Sequence, residues 1–387
     1  MPRTQGQKSY DAIVVGAGLV GQCCAWRAAA AGARVVVVDR AVPPAGATQV
    51  AAGMLAPVGE IAFGEGRLLE LTLAAARDYP RFVAELEAVA GIDTGYRRCG
   101  ALHVALDRDE AAELRRAHEL QRELGLDAEW LGPRRCRELE PGLAPSFHGG
   151  VHAPGEAAVD PRALSAALSR AAETAGTEVR YAAEPAELLV AADSAAGVRL
   201  RGGEELHAPA VVVATGAGAG RDPWLPELAR PPVRPVKGQI LELGSAEGEP
   251  VCERIVASER VYAVPRPDGR LIVGATVEER GFDSSPTAGG VLELLREAYR
   301  MLPDVAELGL LEAAAGLRPG TPDNLPLIGD GAIPGLVLAT GHYRNGVLLA
   351  PLTGELIAQR LAGAERWDPP AAVDPARFSG HPVGAGA

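Results

Sequence analysis

Residues 12–39 read AIVVGAGLVGQCCAWRAAAAGARVVVVD, and this stretch decides the fold. Ala12 to Val15 form a short apolar run of the kind a buried parallel strand needs, and Gly16, Gly18 and Gly21 follow at the G-x-G-x-x-G spacing. The first glycine permits a tight turn, the second lets backbone approach a pyrophosphate, and the third lets helix and strand pack closely. A helix-compatible run from Gln22 to Ala31 comes next, so its free N–H groups and positive dipole end would face the phosphates. A second strand, Arg34 to Val38, ends at Asp39, about 20 residues after the glycines, where an acid accepts ribose hydroxyls and disfavours a 2′-phosphate. A tight crossover alone would explain the glycines but not the acid.

A second glycine-framed turn, GHYRNG at Gly341 to Gly346, also follows an apolar run and opens a helical segment, Gly346 to Leu361. The two ends of the chain therefore build one nucleotide site. Between them, Arg67 to Ala90 is patterned as a helix with a break expected at Pro80, and Asp109 to Leu124 as a helix with a charged, solvated face. Asp160 and Pro161 are a start signal for a helix to about Ala175. The strand Glu178 to Tyr181, a hairpin, and the strand Ala210 to Ala214 running into Thr215 and Gly216 follow. After Gly220 the texture changes to Pro-spaced strands, Gln239 to Leu243, Arg260 to Val264 and Arg270 to Val273, whose alternation predicts antiparallel sheet, with a helix from about Gly290 to Met301.

The expected fold is α/β: a discontinuous Rossmann-like domain from residues 1–85, 150–225 and 320–365, and an α+β substrate domain with an antiparallel sheet from residues 86–149 and 226–319. Residues 1–9 read as a loose leader, and 366–387, rich in Pro, Gly and Ala, as a mobile tail. There is no internal repeat. The substrate is expected where the two domains meet.

Composition narrows the function. At 387 residues, 47% hydrophobic and 23% charged, the chain reads as a globular protein of two or three structural units. A net charge of −12 argues against nucleic acid or anionic membrane as partner. No signal-type run or stretch of about 20 apolar residues is present, so the expected location is the cytoplasm. The cysteines, Cys23, Cys24, Cys99, Cys136 and Cys252, are odd in number and lack C-x-x-C spacing, which suits reduced thiols and gives no metal site. None lies beyond Cys252, so no cysteine in the C-terminal third could carry a covalent flavin.

Several further stretches carry a resemblance: AAGMLAP at 51–57, PVKGQ at 235–239, VYAVPRPDGRLIVGAT at 261–276, AGLRPGTPDNLPLIG at 315–329 and GHYRNGVLLAP at 341–351. With GAGLVG, these make residues 10 to about 363 similar to bacterial glycine oxidases of the thiamine-biosynthesis type. That group lies in the FAD-dependent superfamily that includes D-amino-acid oxidase and sarcosine oxidase.

The resemblance implies non-covalent FAD, with its adenosine on Gly16, Gly18, Leu19, Val20, Gly21 and Asp39. Arg40, Thr48, Ala52, Gly53 and Met54 would contact the diphosphate and flavin, and His342, Tyr343, Arg344, Asn345, Gly346, Val347 and Leu348 would wrap the isoalloxazine edge. Arg318 would clamp a substrate carboxylate through a bidentate fork, Tyr262 would donate its hydroxyl to the same group, and Arg344 would add a further contact, through side chain or backbone. Each has a plainer alternative: a turn arginine, an ordinary sheet aromatic, and a brace for an internal carboxylate. His342 is expected to touch flavin or cap its turn, not to act as a base.

The implied reaction is oxidation of glycine, sarcosine or small D-amino acids by hydride transfer to flavin N5, with oxygen as acceptor, giving glyoxylate, ammonia and hydrogen peroxide. The implied place is supply of the glycine imine for thiamine thiazole synthesis, and the implied assembly is a homotetramer. Asp39 stands where relatives often carry Glu, and Arg260, two before Tyr262, where some carry His, so the rim of the pocket is open to variation. A D-amino-acid or proline-type dehydrogenase, the flavin domain of an RNA-modifying enzyme, and a redox-inactive flavin scaffold are the other readings.

Overall fold

The computed structural model describes residues 9–61, 64–245, 248–363, 367 and 369–378; the expected leader lies almost wholly outside them. A six-stranded sheet has the order Leu327–Asp330, Leu336–Thr340, Val211–Val213, Ala12–Val15, Val35–Val38, Glu178–Arg180. Its strands run parallel except for Leu327–Asp330, which pairs antiparallel at one edge. The sequence order explains the composition: AIVV and VVVV are buried at every position because both faces of the sheet are covered. On one face lie the helices Leu19–Ala30, Gly66–Ala90, Pro161–Thr174 and Gly346–Leu361. On the other packs a three-stranded meander, Pro185–Ala191, Ser194–Leu200 and Glu205–His207.

The second layer is an eight-stranded sheet with the order Gly309–Gly320, Arg234–Gly244, Arg270–Gly274, Tyr262–Pro265, Ile255–Ala257, Ala101–Val104, Gly150–Ala153, Glu129–Leu131. Its pairings are antiparallel, with one parallel step between Ile255–Ala257 and Ala101–Val104. The helix Ala288–Met301 covers one face through Leu294, Ala298 and Met301.

Three expectations shift. The helix Gly66–Ala90 runs straight through Pro80 and ends only at Gly91, which sits at φ +66°. Proline removes one backbone hydrogen bond, but Tyr79, Phe82, Val83 and Leu86 around it are buried in the core, and that packing holds the helix together. Two domain boundaries move for the same kind of reason: this helix carries the nucleotide domain past residue 85, and Gly150–Ala153 belongs to the eight-stranded sheet. The expected mobile tail is packed over residues 369–378. Val373 is fully buried, its carbonyl accepts from Ile328 N–H, and Arg377 makes a two-pronged ion pair with Asp323.

The Asp160–Pro161 start signal works as expected, the Asp160 carboxylate accepting from the N–H groups of Arg162 and Ala163. Asp160 also receives Arg270 at 3.1 Å and lies 3.9 Å from Arg266, tying the start of the helix Pro161–Thr174 to the eight-stranded layer.

Candidate active site

Both glycine turns open onto one cavity of about 1210 Å³, walled by the C-terminal ends of the parallel strands on one side and the eight-stranded sheet on the other. Ligands in open α/β folds bind at this position. At Gly16, φ is +109° and a Cβ would clash with the Ala214 carbonyl carbon at 2.7 Å; at Gly18 the nearest atom to a Cβ is Thr48 Oγ1, at 3.5 Å, so the turn is closed behind and open in front. Gly21 does not line the cavity; it lies against Gly16 and Ala214, where only a glycine lets helix meet strand. Asp39 accepts from Ala17 N–H at 2.6 Å and Ala41 N–H at 2.8 Å, which fixes its carboxylate at the rim while leaving lone pairs for a ligand.

Leu19, Val20, Arg40, Thr48, Ala52, Gly53 and Met54 all line the cavity. Gly53, at φ +77°, leaves no room for a side chain, since Pro161 Cδ would lie 2.9 Å from its Cβ. From behind, the buried Arg266 donates to the carbonyls of Ala52, at 2.7 Å, and Val159, at 3.1 Å. At the other end, His342, Tyr343, Arg344, Gly346 and Val347 line the wall. Asn345 faces a small side cavity shared with Glu60, Glu65 and Arg344, and Leu348 points into the helical core, away from the main cavity.

The three residues expected to meet substrate all line this cavity. Arg318 comes from the edge strand Gly309–Gly320, and one of its guanidinium nitrogens, Nη1, donates to the carbonyl of Thr276 at 3.1 Å and to that of Lys237 at 3.4 Å. That leaves its other face for an anion. Two glycines of the sequence motifs make the space: a Cβ on Gly238 would overlap the Arg318 guanidinium, and one on Gly274 would sit 2.5 Å from the Tyr262 hydroxyl. Burial pushes the Tyr262 phenol up, opposed by the adjacent Arg318 guanidinium, so the phenol is a donor at neutral pH. Arg344 lies 3.8 Å from Glu65, which also accepts from Asn324; bracing of a carboxylate and access to the cavity coexist in one side chain.

His342 is buried, with Nε2 2.9 Å from the Thr353 hydroxyl, and burial pushes its pKa down to about 4. It is a neutral wall residue that ties the turn to the helix Gly346–Leu361. Three cavity residues carried no readable signal in their local sequence. Glu60 arrives in a loop with no periodicity, Asp222 is recognisable only through the hydrogen bond it accepts from Thr215, and Trp224 is a lone aromatic. Thr215 and Gly216 belong to a glycine-rich TGAGAG run at a strand end, a signal that could have placed them.

The cavity fits a dinucleotide along its length, with an acid at one end, an open glycine turn in the middle and the Gly341–Gly346 turn at the other end. Among the described residues no group of three His, Cys, Asp or Glu is placed to hold a metal ion. No helix among them is long and apolar enough to cross a membrane.

Residues 11–360 match the DAO family, FAD dependent oxidoreductase. The chain is 36% identical to the bifunctional protein ThiO/ThiG of Trichormus variabilis over 351 residues, 90% of this chain and 52% of that protein. It thus spans about half the length of the fused curated relatives it matches. It is 34% identical to the glycine oxidase of Geobacillus kaustophilus, covering 90% of this chain and 92% of that one. The crystal structure of the Geobacillus kaustophilus glycine oxidase superposes with a TM-score of 0.87 at 32% identity, over 95% of this chain and 98% of that one. With the glycine turns, the acid and the cavity in place, the chain belongs to the DAO family of FAD dependent oxidoreductases.

Proposed function

We propose that the chain oxidises glycine, and with it sarcosine and small D-amino acids, to the imine, which hydrolyses to glyoxylate and ammonia. The observation that carries this reading is the convergence of Arg318 and Tyr262 on the cavity that holds both glycine turns. Arg318 binds the substrate carboxylate, and the Tyr262 hydroxyl donates a second hydrogen bond to it. Gly18, Thr48, Asp39 and the Ala52–Met54 turn are the residues that would hold FAD, and Gly346–Leu361 would direct its helix N-terminus at the flavin. FAD, when bound, supplies the acceptor for the hydride leaving Cα and passes the electrons to oxygen as hydrogen peroxide.

The protein's part is orientation. A carboxylate fixed on Arg318 sets where Cα lies, and His342, neutral and held by Thr353, adds no charge of its own to that wall. Small substrates suit this wall because Tyr262, Arg318 and Arg344 crowd one end of the cavity. Similarity to fused ThiO/ThiG proteins supports a role in supplying the imine for thiazole synthesis, and a homotetramer is part of the same proposal, to be measured by light scattering.

Peroxide and glyoxylate yields per oxygen consumed test the reading, with glycine, sarcosine, D-alanine and proline compared. Stoichiometric peroxide with glycine supports it. Turnover of proline or D-alanine alone, or reduction of a dye without peroxide, would replace it with the dehydrogenase reading.

A further inference from the structure

We propose that Glu60 sets the charge selectivity of the substrate pocket, admitting amino acids with one carboxylate and turning away those that carry a second. The inference rests on the assignment of the first carboxylate to Arg318 and Tyr262. Glu60 lines the main cavity together with Tyr262, Arg318 and Arg344, and it lines the small side cavity beside Arg344. No hydrogen bond or ion pair joins its side chain to another described residue; Arg344 pairs with Glu65 instead, at 3.8 Å. A carboxylate with no hydrogen bond or ion pair that lines a cavity beside two arginines is a candidate for a task at that cavity.

Its position is fixed from behind, residue by residue. Glu60 N–H donates to the Ala56 carbonyl at 3.1 Å, closing a helical turn. The Val58 carbonyl accepts from the buried Gln121 at 2.9 Å, and Gly59 N–H donates to the buried Glu156 at 2.5 Å. A Cβ on Gly59 would run into the His103 ring. These contacts hold the backbone of residues 58–60 and so set where the half-buried Glu60 side chain starts. Burial raises the Glu60 pKa, while the Arg344 guanidinium pulls it down, Glu156 raises it, and His103 and Arg318 lower it.

With Arg318 occupied by the first carboxylate and Arg344 shared with Glu65, a second substrate carboxylate would face Glu60 across the cavity. Like charges brought together in a site repel, and that repulsion discriminates between ligands. An uncharged side chain or N-methyl group meets no such repulsion.

The experiment compares the FAD-loaded wild type with Glu60→Gln and Glu60→Asp. The substrates are glycine and iminodiacetate, which is glycine with a second carboxylate attached through nitrogen. Removing the charge while keeping the shape should raise kcat/KM for iminodiacetate relative to glycine by about tenfold or more, chiefly through KM, and Glu60→Asp should keep the wild-type preference. An unchanged ratio in Glu60→Gln would overturn the proposal. Dissociation constants for glycolate and malonate, read from perturbation of the flavin absorption band, give the same ratio without turnover. If the wild type ignored glycine while Glu60→Gln still gained malonate affinity relative to glycolate, the glycine assignment would fall and the selectivity of Glu60 would stand. An unchanged ligand ratio sinks the selectivity on its own.

Discussion

Arg318 and His342 stand on the same cavity and do opposite electrostatic work. Arg318 has one nitrogen bound to the carbonyls of Thr276 and Lys237, and on the proposed reading its loss removes the partner of a substrate anion. Arg318→Ala should raise the glycine KM by at least about 30-fold, the equivalent of roughly 2 kcal/mol or more, with the flavin spectrum unaltered. Unchanged steady-state kinetics would remove it from the site. Tyr262→Phe deletes one hydrogen bond to a charged group, and a smaller loss in kcat/KM, roughly tenfold, is expected from the same assay.

His342 is buried neutral, its pKa lowered from 6.5 to about 4. The unfolded chain therefore takes up a proton that the folded chain refuses between those values. Stability contributed by this residue is complete above about pH 6.5 and is lost as pH falls toward 4, by on the order of 3 kcal/mol. Urea unfolding at pH 7.5 and pH 5 should show a steeper acid loss for the wild type than for His342→Asn; equal slopes would contradict the burial argument. Tyr262 and Arg318 were legible because motif and strand pattern coincide there. Glu60 was not, since its place depends on Gln121 and Glu156, which reach it from distant parts of the chain.

At the scale of elements, the first 28-residue βαβ stretch was legible because each local signal agrees with the next: apolar run, glycine spacing, helix, apolar run, acid. The helix Gly66–Ala90 shows the converse. Pro80 is a strong local stop, yet a core of Tyr79, Phe82, Val83 and Leu86 is assembled only in three dimensions and outweighs it. The packed segment 369–378 was hidden for a similar reason, since Arg377 and Val373 find Asp323 and Ile328 across the fold. The Ala52–Met54 turn yields an element-level prediction. Gly53→Ala places a methyl against Pro161 and the Val159 carbonyl at φ +77°, so the turn must move. The variant should purify with little bound FAD while its far-UV circular dichroism stays near wild type. Full flavin content in Gly53→Ala would mean that the turn does not contact the cofactor.

For the whole molecule, the cavity is walled by both sheets, and Arg266 and Arg270 hold the start of the helix Pro161–Thr174 to the eight-stranded layer through Asp160. A ligand filling that space binds the folded state alone, so FAD removal should lower Tm by several degrees and saturating FAD should restore it. Equal melting temperatures for the two forms would argue that the cavity is not the cofactor site. The central claim is that one cavity holds FAD and presents a small amino acid to it. The most direct test is the visible spectrum of the purified protein under anaerobic conditions before and after glycine, then on admission of air. The account predicts that glycine bleaches the band near ~450 nm, and that air restores it with one peroxide per flavin. A flavin band indifferent to glycine, sarcosine and D-alanine alike would contradict it.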